Sequence, residues 1–298
     1  MRRQNIRALC LIVWISMILI LTFTLGCAGV GVKEDGPPTP LKPEDKIPET
    51  GDADLLKNEL IGHLSSLSAK VEESPNDLQL LRESAQLYLT YGFLIEDVDP
   101  EQAKELYTKG REYGLRALKQ DNQCREGLES GKRISELVGD LGEEYKEALC
   151  WTGLNGGLWL ILNINDFSIL SEMGDIISVV KRSIELDETY FYGIGKVFMG
   201  AYYALVPTFL ESAAGPENSA KMFREARSVS DGKFLLVDLF EARFLATKLN
   251  DQDLFQKRLK SVLSADAEAL KDASLINRLS KMKADYYLKH QGDYFPLT

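Results

Sequence analysis

From residue 52 onward, apolar side chains recur every three or four positions, and almost no segment alternates with period two. That period gives each segment one apolar stripe if it is helical. It predicts helices at roughly 53–72, 76–95, 100–119, 122–139, 142–163, 168–186, 189–206, 216–229, 233–249, 251–264 and 270–289. The punctuation agrees. Ser74-Pro75, Asp99-Pro100 and Gly215-Pro216 each set an N-cap candidate before a proline at the first helical position. Other prolines stay out of the periodic runs, apart from Pro207 near a helix end. The expected fold class is all-α, with about 11 helices over 52–298.

The helix at 100–119 is the most legible. Ala103, Leu106, Tyr107, Gly110, Gly114, Ala117 and Leu118 share one face. Its small residues admit a neighbouring helix closely, and Tyr107 with the leucines fills the gaps. Small and aromatic residues so spaced are the mechanics of the tetratricopeptide (TPR) repeat, a helical hairpin stacked on the next. Ala85 and Tyr88 with Ala103, Tyr107 and Gly110 make one unit, its connection six residues longer than usual. Gly200 and Tyr203 with Ser219, Phe223 and Ala226 make a second, seven residues longer. A pair around Ala242 and Phe255 is degenerate. The reading is an irregular TPR-like helical-hairpin array; the alternative is a helical bundle without repeats.

The first 51 residues follow other rules. Arg2, Arg3 and Arg7 precede an uncharged run from Ala8 to Gly26, the n-region and h-region of a secretory signal. Gly26-Cys27 closes it in a lipobox pattern, with Thr24 where leucine is usual. Cys27 is therefore the expected lipidation site, carrying diacylglyceryl and a further acyl chain such as palmitate. An uncleaved anchor helix is the alternative, since about 19 residues just span a bilayer. Residues 27–51 hold five of the ten prolines, a composition that reads as an extended tether. The expected organisation is a signal peptide at 1–26, a lipidated tether at 27–51 and a helical body at 52–298. Ala28 lacks the aspartate of an inner-membrane retention signal, so the lipid anchor is expected in the outer membrane, facing the periplasm.

Charge narrows the partners. The signal holds three of the 35 basic residues and no acidic ones, which leaves 32 against 45 and a net charge of −13. Such a chain repels nucleic acid on average. Cys124 and Cys150 remain in the body, free to pair in an oxidising periplasm, but two cysteines are no disulfide framework.

Candidate chemistry is sparse. His63 and His290 stand at opposite ends of the body, which offers no His pair for a transition metal. There is no nucleophile elbow or phosphate loop. Gly193-Ile194-Gly195 followed by Gly200 resembles a dinucleotide loop only superficially, inside a helical pattern with no preceding strand. Neither an enzyme nor a cofactor is expected. Two aromatic stripes invite a functional reading. Trp151, Asn155 and Trp159 lie at i, i+4 and i+8 on one helical face, with Gly153, Gly156 and Gly157 towards the other. Each interior glycine costs a helix about 1 kcal/mol relative to alanine, so close approach of another helix is the natural compensation. Tyr192, Met199 and Tyr203 align on a second helix. These six residues are candidates for an apolar groove or pore lining, and plain core packing competes with that reading.

The ordered segments resemble a family. They are Pro100-Glu101-Gln102-Ala103-Lys104-Glu105-Leu106-Tyr107 through Leu118, Ala148-Leu149-Cys150-Trp151-Thr152-Gly153, and Leu186-Asp187-Glu188-Thr189-Tyr190-Phe191-Tyr192-Gly193. Ala220-Lys221-Met222-Phe223-Arg224-Glu225-Ala226, Asp253-Leu254-Phe255, Leu275-Ile276-Asn277 and Phe295 follow. The succession is similar to that of the TRAP-transporter T-component family, lipoproteins associated with tripartite ATP-independent periplasmic transporters. Ala213-Ala214-Gly215-Pro216 departs from the expected Gly-Gly-Asp turn, and Phe191 stands where a tyrosine or polar residue is usual. The resemblance implies a TPR-like, non-catalytic periplasmic lipoprotein. It further implies a homotrimer, partnership with the TRAP solute-binding subunit, and a hydrophobic pore or groove for a small apolar ligand. The expected role is hand-over of an apolar or amphipathic organic acid between that subunit and this chain; a TPR-like scaffold in envelope assembly, without a small ligand, is the alternative.

Overall fold

The computed structural model describes residues 51–164 and 166–295. Cys27, the signal and most of the tether lie outside the described residues. The described chain is all-α, with eleven helices of seven residues or more and no strand. They are α1 (Gly51–Glu73), α2 (Leu78–Ile95), α3 (Pro100–Leu118), α4 (Asn122–Glu129), α5 (Lys146–Leu162) and α6 (Leu170–Leu186). α7 (Tyr190–Leu205) and α8 (Pro216–Val229) follow. α9 begins as Leu236–Phe240, runs through a π-helical stretch at Glu241–Ala246 and ends in Thr247–Leu249. α10 (Gln252–Ser264) and α11 (Ser274–Lys289) complete the set.

Short acidic side chains start several of these helices by binding otherwise unpaired backbone N–H groups. Asp99 accepts from Gln102 N at 3.0 Å, with Pro100 in the first turn as its spacing predicts. Asp121 caps α4 and Asp251 caps α10 in the same way. At α2 the cap is Asp77, which accepts from Gln79 N and Leu80 N, so the cap lies three residues beyond the expected Ser74. The helix expected at 122–139 stops at Glu129. Gly131 adopts φ 85° there, its N–H donates to Leu128 O, and Lys132 N donates to Gly127 O. This is a Schellman stop, and short 3₁₀ turns carry the chain on to α5.

Sequential antiparallel hairpins build the body: α2 with α3, α5 with α6, α7 with α8, and α10 with α11. Small residues set how closely they approach. A Cβ on Gly92 would come within 2.5 Å of the Tyr107 ring, and one on Gly200 within 2.9 Å of Phe223. The two TPR-like units read from the sequence are thus α2–α3 and α7–α8. The glycines of α5 are accounted for: Gly153 faces Val180 and Gly156 faces Ile176 on α6, while Gly157 faces Phe198 on α7. Cys124 and Cys150 are both buried free thiols. Burial pushes their pKa values up to about 11 and about 12, which keeps them protonated and unreactive at neutral pH.

Candidate functional site

Helices α2, α5, α7, α9 and α11 each turn apolar side chains towards a common slot. Leu89 and Phe93 come from α2, and Leu154 and Leu158 from α5. Ile194, Val197 and Phe198 come from α7, Leu236 and Phe240 from α9, and Ile276 from α11. Most of these residues repeat at i, i+4, the spacing that stacks side chains along one helical face. Together they wall a slot with no polar group. Its volume is about 20 Å³, the room of roughly one water. A ligand longer than a few atoms can enter only if side chains such as Phe93, Phe198 and Phe240 move. Phe93 and Phe240 pack at 5.9 Å between centroids, and Phe240 meets Phe244 at 5.1 Å.

Beside this slot lies a wider groove of about 740 Å³. Leu55 and Leu56 of α1, Leu94 with Asp97 and Val98, and the outer side of α11 from Arg278 to His290 line it. Between slot and groove sits a charged cluster. Glu96 and Asp97, just after α2, meet Arg243 of α9 and Lys283 of α11. Glu96 bonds Arg243, accepts from Lys283 at 3.2 Å, and accepts from the Tyr107 hydroxyl at 2.6 Å. Asp97 bonds Lys283, accepts from the Tyr287 hydroxyl at 3.2 Å, and faces Arg243 at 3.7 Å. Two acids and two bases balance, so the buried group carries no net charge, as low-dielectric surroundings require. It joins residues 147 and 187 apart in sequence, closing the array on itself. The Lys283 ammonium also stands 4.4 Å from the centroid of the Phe93 ring, the wall of the slot.

These partners set the protonation states. Burial opposes ionisation of Asp97, but Lys283, Arg243 and Tyr287 outweigh it and hold the carboxyl below its ordinary 3.8. Burial likewise opposes the Arg243 charge, and its anionic neighbours prevail. A depressed carboxyl pKa stabilises the fold above the unfolded-state value, and that contribution is lost as pH falls through the folded value. The melting temperature should therefore drop with acidification below about pH 4, and the drop should be shallower in Asp97→Asn. Differential scanning calorimetry across acidic pH measures both; identical slopes would detach Asp97 from acid stability.

The six sequence candidates lie on α5 and α7, and none of them lines the slot. Trp151 is 2 % exposed and meets Phe191 edge-on at 5.2 Å. Met199 is buried, while Trp159, Tyr192 and Tyr203 are half-buried. Asn155 is fully buried, and its Nδ2 donates to Ala85 O and to Trp151 O, both at 2.8 Å. Its Oδ1 has no hydrogen-bond partner and rests against Gly110, where a Cβ would come within 2.2 Å. Asn155 thus pins α5 to α2 and α3. The expected alignment of Tyr192 with Met199 and Tyr203 fails for a backbone reason. Phe191, Tyr192 and Gly193 have φ of 42°, 59° and 74°, so regular helix begins only at Ile194. Two aromatic residues in the left-handed region carry strain of order 1–3 kcal/mol each, held by packing on Trp151 and Phe234.

The lining itself was missed because α5 is apolar on nearly every side. Twelve of its seventeen residues are buried, so no stripe marks the cavity side. The charged cluster was missed because its members are far apart in sequence, and the dipeptide Glu96-Asp97 reads as an ordinary solvated turn. A signal existed in the paired apolar residues at i, i+4 on four helices, but only a fold shows that these converge.

No helix of the described residues is long and apolar enough to cross a membrane. No curated protein matches the chain. A family model described as TRAP transporter T-component matches residues 49–295, the whole of the helical body. The chain therefore belongs to the TRAP transporter T-component family and is a component associated with a TRAP transporter.

Proposed function

We propose that the chain is a non-catalytic periplasmic lipoprotein that binds the TRAP solute-binding subunit and accepts a small apolar or amphipathic organic acid from it. The observation that carries this reading is the slot. Five helices converge on an apolar lining with no catalytic group, inside a chain of a transporter-associated family. An apolar wall binds by removing ligand surface from water, at about 25 cal/mol per Å², and needs no reaction. In this reading Trp151, Asn155, Trp159, Tyr192, Met199 and Tyr203 stand behind the lining and hold α5 and α7 in place. The anchor is lipid on Cys27 in the outer membrane, and the assembly is a homotrimer.

The narrow slot, about 20 Å³, favours a second reading, a TPR-like envelope scaffold without a small ligand. Titration of the purified chain with the cognate solute-binding subunit separates the two. The transport reading expects saturable binding, and its absence with and without substrate would favour the scaffold. Genes for a TRAP permease and a solute-binding protein, if found beside this one, would favour the transport reading. Cys27→Ser should abolish incorporation of labelled palmitate, and labelling that survives the change would remove Cys27 as the acceptor.

A further inference from the structure

We infer that Arg243 and Lys283 form a carboxylate site, occupied here by the protein's own Glu96 and Asp97, that takes the head of an anionic amphiphile whose tail enters the apolar slot. The inference rests on the ligand-cavity reading above and names the class of ligand and the residues that select it.

The slot supplies no polar group of its own. Ligand sites of this kind fix orientation with a few placed polar groups at the edge of an apolar wall. The charged group at this edge is the cluster. Lys283 touches both sides of the partition: it lines the wide groove, and its ammonium lies 4.4 Å from the ring centroid of Phe93, which lines the slot. A molecule entering from the groove meets the cation first and the apolar wall next.

The two internal carboxylates are not equivalent. Glu96 lies deeper, with a side chain 2 % exposed, and is tied to Tyr107, Arg243 and Lys283. Asp97 is 13 % exposed and faces the groove. It sits on the short link between α2 and α3, where a turn of the side chain would return it to water. An incoming carboxylate can take its place against Lys283 and Arg243 without unpairing either cation, so the exchange conserves buried charge. Of the cations along the groove, Arg278 pairs with Glu59 and Glu268, Lys289 with Asp285, and Lys283 with Glu96 and Asp97, which leaves Lys281 to attract an incoming anion. Lys281 is bonded to a neutral carbonyl, Ala265 O, at 2.6 Å.

The test is equilibrium dialysis of the full chain in nanodiscs, with empty nanodiscs as background, using decanoate and decanol. The wild type should bind decanoate about tenfold tighter than decanol, the worth of one charge-assisted pair. Asp97→Asn removes the competing charge and should tighten decanoate severalfold while leaving decanol unchanged. Lys283→Met keeps the stem over Phe93 and should bring the acid-to-alcohol ratio to about one, with decanol still bound. Equal affinity for acid and alcohol in the wild type, or an Asp97→Asn variant that binds decanoate no better, would overturn the carboxylate site while leaving the slot intact. Binding of neither probe would overturn the ligand-cavity reading as well. Should Lys283→Met fail to fold, the wild-type ratio and the Asp97→Asn shift still decide the matter.

Discussion

Glu96→Ala should lower the stability of the body by about 3–5 kcal/mol, the usual cost of removing one partner from a buried ion pair. The residue is nearly inaccessible, and three donors converge on it: Arg243, Lys283 and the Tyr107 hydroxyl. Alanine would leave the Tyr107 hydroxyl without its acceptor and two buried cations sharing the single charge of Asp97. An uncompensated buried charge costs far more than the original pair gains. At roughly 2–4 °C per kcal/mol for a body of this size, the melting temperature should fall by about 6–20 °C. Glu96→Gln keeps two acceptor lone pairs for Tyr107 and should fall between wild type and alanine. The cluster joins α2 to α9 and α11, so the loss should also open the array: hydrogen exchange in α11 should rise more than in the α5–α6 hairpin. A melting temperature within a few degrees of wild type would show that the cluster does not hold the array closed.

Gly110→Ala should be strongly destabilising alone and much less so in an Asn155→Ala background. A methyl on Gly110 meets the Asn155 carboxamide, with ideal distances of 2.2 Å to Oδ1 and 2.5 Å to Cγ. The carboxamide cannot retreat without giving up its bonds to Ala85 O and Trp151 O. Overpacking a tight site costs about 1–3 kcal/mol, and each lost buried hydrogen bond adds about 1 kcal/mol. Asn155→Ala alone loses the two bonds but removes the obstacle, so the double variant is spared the collision. The coupling in a double-mutant cycle should reach about 2 kcal/mol. Additivity within about 0.5 kcal/mol would mean that α3 and α5 do not meet through this residue. Asn155→Leu belongs to the same test: a branched apolar side chain against Gly110 should destabilise, because the pocket is shaped for a flat amide.

How much of this was readable from the chain depends on how locally each feature is written. The hairpin α2–α3 was legible because Asp99-Pro100 marks its turn, while Ala85, Tyr88, Tyr107 and Gly110 lie at repeat spacing. The glycines of α5 announced close contacts, and Gly153, Gly156 and Gly157 make them. The true end of α4 was harder. Gly127 and Gly131 both fit a helical pattern, and only the left-handed φ of Gly131 shows which one stops it. Tyr192 misled because Phe191 and Tyr192, bulky residues that avoid positive φ, adopt it here under the pressure of Trp151 and Phe234. Tertiary packing overrides local preference at that point, and no reading of the sequence period reveals it. The aromatic and amide residues drew attention because they are chemically distinctive. The slot is walled by ordinary leucines, isoleucines, valine and phenylalanines, which look alike whether they face a neighbour or a cavity.

The central claim is that the apolar slot holds a ligand. It is tested most directly by mass spectrometry of organic extracts from the chain purified out of its native membrane, beside an Ile194→Phe variant that fills the slot. Ile194 is 3 % exposed and lines the slot on α7, so the larger ring has little space to take except the slot itself. Circular dichroism first establishes that the variant is folded. The expected result is an apolar or amphipathic acid recovered with the wild type at near-equimolar amount and depleted at least about fivefold in the folded variant. The same small molecules at the same amount from both proteins, or none from either, would contradict it.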